Sequence, residues 1–124
     1  MGVRLVAVSG LMLGLSLLPV ARAEPPAIAQ IEINYLLGHI EGSRCEFYRN
    51  GSWYDSKKAE AHLRGKYEYL AARNLINIAE DFIDKGATNS SLSGRPYEVR
   101  CSGSDAVVSN QWLRKELTHY RAFQ

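Results

Sequence analysis

The chain reads as an α+β domain: a small antiparallel sheet, a β-hairpin plus one C-terminal strand, packed against about four helices and stapled by one disulfide. Three observations predict this. Asn50-Gly51 lies between two short β-prone runs, Cys45 to Arg49 and Ser52 to Asp55, and supplies the two positive-φ residues that a type I′ hairpin turn demands. Four other stretches carry apolar residues at helical spacing, so each has one stripe to bury. The two cysteines, Cys45 and Cys101, fall at the start of the hairpin and at the end of a second alternating segment. A sheet covered by helices is the natural way to bury such stripes together.

The first 23 residues stand apart from this domain. Arg4 gives a short positive region, Leu5 to Leu18 form an apolar run, and Ala21-Arg22-Ala23 ends it as an Ala-x-Ala cleavage site. This is the pattern of a secretory signal peptide, removed before Glu24. The run is shorter than the roughly 20 apolar residues that a membrane span needs, and no cysteine follows the site to carry a lipid. The expectation is an exported protein, residues 24–124 forming one domain, with no stable membrane anchor after cleavage. Of the 15 basic residues, Arg4 and Arg22 leave with the signal, so 13 bases face 13 acids in the rest. A neutral domain lacks the overall field that draws proteins to nucleic acid, so no nucleic-acid partner is expected. In an oxidising compartment the two cysteines are expected to pair, and closing a loop of about 57 residues removes roughly 4 kcal/mol of unfolded-state entropy.

Along the chain, Pro25-Pro26 leads into a helix from about Ala27 to Glu41. Ile28, Ile31, Ile33, Tyr35, Leu36, Leu37 and Ile40 form its wide apolar face, and Gly42 is placed to take a left-handed C′ conformation. Gly38 costs about 1 kcal/mol relative to alanine inside a helix, which suggests close packing there. In the hairpin, Arg49 faces Ser52, Tyr48 faces Trp53 and Phe47 faces Tyr54. Cys45, Phe47 and Tyr54 then share the buried face, leaving Tyr48 and Trp53 under a helix or at the surface. Asp55 or Ser56 can cap a second helix, on which Ala59, His62, Leu63, Lys66, Tyr67 and Leu70 recur. A third apolar run, Leu75 to Ile83, follows a break near Asn74 and stops at Lys85-Gly86. Thr88 to Pro96 is a polar loop, and Tyr97 to Cys101 alternates as a strand whose Tyr97, Val99 and Cys101 meet the Cys45 side of the hairpin. After a turn at Ser102 to Asp105, Ser109 caps a last helix with Trp112, Leu113, Leu117 and Tyr120 inward.

Several motifs in this order resemble the YfeK-like family of small exported proteobacterial proteins, a domain of unknown function. They are Ser43-x-Cys45-x-Phe47-x-Arg49-Asn50-Gly51, Ala59-x-x-His62-Leu63-x-x-Lys66 and Ala79-Glu80-x-Phe82-Ile83. Ser90-Ser91-x-Ser93-Gly94-x-Pro96-Tyr97, Cys101, Trp112-Leu113 and Tyr120-Arg121 complete the set. The resemblance runs from about Ile31 to Arg121. It implies a periplasmic address in a Gram-negative cell and brings no activity, cofactor or catalytic residue.

No complete reaction motif appears, and a non-enzymatic protein is the favoured expectation. His62 and Lys66, one helical turn apart, are the candidates for an envelope hydrolase or transferase; the simpler reading is a half-buried histidine at a helix–sheet boundary, because a general base needs a geometric partner. A nucleophilic Cys45 fails on the disulfide, which leaves no thiolate. His39, His62 and His119 lack metal-ligand spacing, and Glu80, Asp81 and Asp84 read as a solvated helix face; no metal and no cofactor are expected. Tyr48 and Trp53, with Arg49 beside them, could form a platform for a glycan or protein of the envelope. Ser93-Gly94-Arg95-Pro96-Tyr97 is similar to the lysozyme-contacting Ser-Gly-x-x-Tyr loop of some periplasmic lysozyme inhibitors, although those are mostly β-built. The leading expectation is therefore a periplasmic protein binding an envelope macromolecule or glycan. Its binding surface would draw on the hairpin tip (Tyr48, Arg49, Asn50, Gly51, Trp53), His62 and Lys66, and the loop Ser93, Gly94, Arg95 and Tyr97.

Overall fold

The structure, a computed structural model, describes residues 24–124; the expected signal peptide lies outside the described residues. Eight elements follow in order: α1 (Ala27–Gly42), β1 (Glu46–Arg49), β2 (Ser52–Tyr54), α2 (Ser56–Ala71), α3 (Ala79–Gly86), β3 (Glu98–Arg100), β4 (Val107–Val108) and α4 (Ser109–Ala122). The strands form one antiparallel sheet in the order β2-β1-β3-β4. The expected α+β class is correct, with one strand more than the sequence suggested. β4 is only two residues long, too short for alternation to reveal it.

Turn chemistry sets the hairpin. Asn50 and Gly51 both have positive φ, 53° and 94°, and the register is the expected one: Phe47 with Tyr54, Tyr48 with Trp53, Arg49 with Ser52. On the other edge of β1, Phe47 pairs with Val99 and Glu46 with Arg100. Continuing that register by two residues brings Cys45 opposite Cys101, and these form the disulfide with Cα atoms 4.3 Å apart. Continuing it the other way brings Arg49 opposite Tyr97. The inner face of the sheet thus runs from disulfide, through Phe47 and Val99, to a polar end.

The helices close over that face. Ile33, Leu36, Leu37 and Ile40 of α1, Phe82 and Ile83 of α3, and Leu113 and Leu117 of α4 are buried together with Leu63 of α2. Asp55 caps α2, its carboxylate accepting from the Lys58 amide. α2 ends at Ala71, and Asn74 takes a left-handed conformation (φ 58°) at the expected break. α3 starts at Ala79, later than its apolar run, because the Asp81 carboxylate accepts from the amides of Asn77 and Ile78 and fixes the first turn there.

Four expectations need correction. Ile28 and Ile31 are 71% and 57% exposed; with apolar residues around most of α1, spacing alone does not say which arc is buried. Gly38 packs against nothing, since a Cβ there would meet no atom within 4 Å. Gly42 stays helical, and Arg44 takes the left-handed position (φ 58°) after Ser43 bonds back to the Ile40 carbonyl. Ser109 is the first residue of α4, not its side-chain cap. Its amide donates instead to the Tyr97 carbonyl, tying α4 to the end of the sheet.

Candidate functional site

Three segments far apart in sequence meet at the polar end of the inner face. β1 contributes Arg49, α2 contributes His62 and Lys66, and the residue before β3 is Tyr97. The alternation that turns Phe47 and Val99 inward turns Arg49 and Tyr97 inward too, and α2 crosses above them. His62 Nε2 lies 3.1 Å from the Tyr97 hydroxyl, and its Nδ1 lies 3.4 Å from Arg49 Nη1. Lys66 Nζ donates to the same hydroxyl at 3.1 Å and to the Asn89 carbonyl at 3.1 Å.

The protonation pattern follows from these contacts. A guanidinium only donates, so the Nδ1 facing it accepts and the His62 proton sits on Nε2, pointing at Tyr97. Burial, reinforced by the Arg49 and Lys66 cations, lowers His62 to about 4, so the ring is neutral near pH 7. Burial and Arg49 lower Lys66 as well. Two donors on the Tyr97 oxygen favour its phenolate, but burial acts in the opposite direction and raises its pKa, so the hydroxyl keeps its proton. The expected half-buried histidine at a helix–sheet boundary is what stands here, bonded to side chains rather than to backbone.

A cavity of about 30 Å³ adjoins this chain of bonds, walled by Phe47, Tyr54 and Leu63 and lined by Arg49, Lys58, His62, Tyr97 and Ser109. That is room for a water or two or a single small head group. No Asp or Glu lines it. Among the described residues, Arg49, Lys57, Lys58, Lys66 and Arg95 form no ion pair, whereas Arg64, Arg100, Arg114 and Arg121 all do.

The remaining candidates form a rim. Arg95 Nη1 reaches the Tyr48 hydroxyl at 3.4 Å and lies near the turn, 3.9 Å from where a Cβ of Gly51 would be. The Ser93 hydroxyl accepts from the Arg95 amide, and Gly94 takes φ 74° to turn the loop toward the hairpin. Asn50 is exposed in the turn. Tyr48 and Trp53 are half-buried and meet edge to face at 5.4 Å on the outer face of the sheet. The Arg100 guanidinium sits 3.9 Å above the Trp53 ring and pairs with Glu46. One side of the proposed platform is therefore already occupied by the protein. Tyr54, under the Arg49 guanidinium, and Ser109 belong to the site and were missed: their apolar and capping readings drew attention away from the cavity.

Other expected features lie elsewhere. Glu80, Asp81 and Asp84 pair with Arg121, Lys85 and Arg114 respectively. Among the described residues no three His, Cys, Asp or Glu side chains are grouped to hold a metal ion, and no helix is long and apolar enough to cross a membrane.

A hairpin-led α+β domain with one disulfide and a cationic end is the class these features define. The chain matches, over residues 27–121, the family of unknown function DUF5329, and it belongs to that family. It is also 38% identical over 78 residues to the uncharacterised protein YfeK of Salmonella typhimurium, a match covering 62% of this chain and 63% of that one. No solved structure matches it.

Proposed function

We propose that the chain is an exported, non-enzymatic protein of the periplasm that binds a macromolecule or glycan of the cell envelope. The binding face is the one where the hairpin tip, α2 and the 88–96 loop meet. The observation that carries this reading is the convergence of three distant segments on Tyr97, where Arg49, Lys58, Lys66 and Arg95 stand without an ion-pair partner among the described residues. Export is supported by the leader sequence and by the paired cysteines.

The absence of an enzyme is argued from the geometry of His62. Both ring nitrogens are already engaged, no carboxylate orients the ring, and the adjoining space admits no more than a small group. The inhibitor-like loop gains no support either, because Tyr97 is 5% exposed and its hydroxyl faces inward.

Cosedimentation of the purified mature protein with a Gram-negative envelope fraction tests the proposal. Saturable retention that falls at least tenfold in Arg49→Gln/Arg95→Gln is expected. Absent retention, or retention that ignores those changes, removes it.

A further inference from the structure

The cavity beside Tyr97 is lined by two cations and several hydroxyls, with no carboxylate among the described residues that line it. Ser109 is 1% exposed and lines the cavity, yet its hydroxyl makes no hydrogen bond to any described residue. Its amide alone is engaged, with the Tyr97 carbonyl. A buried hydroxyl left without a partner is destabilising, because it has lost its water and gained nothing in return. Tyr97 presents a second unused donor. Its oxygen accepts from Lys66 and from His62 Nε2, which takes both lone pairs, so its own proton has no acceptor among the described residues. Arg49 and Lys58 complete the wall, neither in an ion pair.

Two hydroxyl protons and two cations around one small space call for a single complement: a group that only accepts and carries negative charge. The Phe47 and Leu63 side chains and the Tyr54 ring sharpen that preference, since excluding water lowers the local dielectric and strengthens each charge-assisted bond. Size sets the limit. About 30 Å³ admits one head group, and the rest of the ligand must leave past exposed Lys58.

We propose that this cavity is a binding site for one oxyanion group, a carboxylate or a phosphate, carried by an envelope molecule. Arg49 and Lys58 neutralise it, and the Ser109 and Tyr97 hydroxyls donate to it. Lys66 stands one bond behind, holding Tyr97 in position through its hydroxyl. The inference deepens the envelope-binding reading and rests on it only for the source of the ligand.

The test is a titration of the mature, disulfide-bonded protein with sodium acetate and, separately, sodium phosphate at pH 7, with ionic strength held constant by sodium chloride. The amide signals of Tyr97 and Ser109 and the His62 ring nitrogens are followed by NMR. Saturable shifts at these positions with either anion are expected, acetate marking a carboxylate source and phosphate a phosphate source. Affinity should fall at least tenfold in Arg49→Gln and several-fold in Ser109→Ala, and stay unchanged in Lys115→Gln on another face. If Arg49→Gln does not fold, Lys58→Gln, at an exposed position, takes its place with the same expectation. Shifts that never saturate, that saturate elsewhere, or that survive both Arg49→Gln or its replacement and Ser109→Ala overturn the site. Envelope retention without anion saturation sinks this inference and leaves the broader proposal standing; anion saturation without retention does the reverse.

Discussion

Arg121 is where a single substitution should most clearly expose how the helices are held together. Near the end of α4, its Nε and Nη2 donate to the two Glu32 carboxylate oxygens at 2.8 Å each, and Nη1 and Nη2 donate to Glu80 at 2.7 and 3.0 Å. One guanidinium therefore ties α1 and α3 to α4. Glu32 is 8% exposed, so in Arg121→Met it becomes a carboxylate out of water with no partner. Breaking a fully buried pair costs about 3–5 kcal/mol. Because the Arg121 side chain is 40% exposed, solvent screens part of this, and about 2 kcal/mol is the expected loss at pH 7. For a domain of this size that is roughly 10 °C in Tm. The pH dependence supplies the sharper signature. Arg121 holds the Glu80 pKa below its usual value; stability from that pair is fully present above about pH 4.5 and lost as pH falls through the lower folded value. The gap between wild type and Arg121→Met should accordingly narrow toward pH 3. Glu32→Met/Arg121→Met should regain most of the loss, since an apolar pair leaves no buried charge. Urea denaturation of the three proteins at pH 7 and pH 3.5 measures both. A variant as stable as wild type at pH 7, or a gap unchanged at pH 3.5, would refute the reasoning.

Other outcomes follow from the same geometry. Cys45→Ala/Cys101→Ala opens a loop closed across 56 positions and should cost about 4 kcal/mol, read by urea denaturation against the oxidised protein. Gly38→Ala and Gly65→Ala lie in helix interiors with nothing within 4 Å of the new Cβ, so each should raise stability by about 0.5–1 kcal/mol; a loss at either position contradicts the open space assigned to it. His62, lowered to about 4 from a usual 6.5, should stay neutral at pH 5.5 by NMR. Because the unfolded chain takes up that proton first, stability should decline as pH falls from about 6.5 toward 4. His62→Gln should remove that part of the decline.

What was legible in the sequence is what local chemistry dictates. Asn50-Gly51 leaves one turn type, the turn fixes the register, and the register aligns Cys45 with Cys101, so hairpin and disulfide followed from a few residues. Asp55 and Lys85-Gly86 marked helix ends for the same reason. Features set by tertiary packing were not legible. α1 is apolar around too much of its circumference to reveal that Ile28 and Ile31 face out. β4 exists because Val107 can pair with Val99 across a turn, not because two valines alternate. The site was half visible. His62 and Lys66 shared a helix face, and the register that pairs the cysteines also sets Arg49 opposite Tyr97. Ser109 was hidden, since a serine before a helix reads as a cap, whereas here the residue lines the cavity.

The charge balance shows how little composition says about where charge stands on the surface. Residues 24–124 carry 13 acids and 13 bases, and neutrality argues against a long-range field that gathers polyanions. It says nothing about how the charges are distributed. Several acids of α1 and α3 are taken up in structural ion pairs: Glu32 and Glu80 on Arg121, Asp84 on Arg114. Among the described residues the bases at the hairpin end, Arg49, Lys58, Lys66 and Arg95, are in no ion pair; Arg49, Lys66 and Arg95 stand against rings and hydroxyls instead. With a screening length of about 8 Å at physiological salt, a group inside the cavity feels most strongly the Arg49 and Lys58 cations that line it, while the Asp55 and Glu98 carboxylates at the same end stand outside its lining. The fold gives residues 24–124, neutral as a whole, a locally positive end. The oxyanion ligand proposed above would meet that positive end at short range, so the neutrality of residues 24–124 does not argue against it.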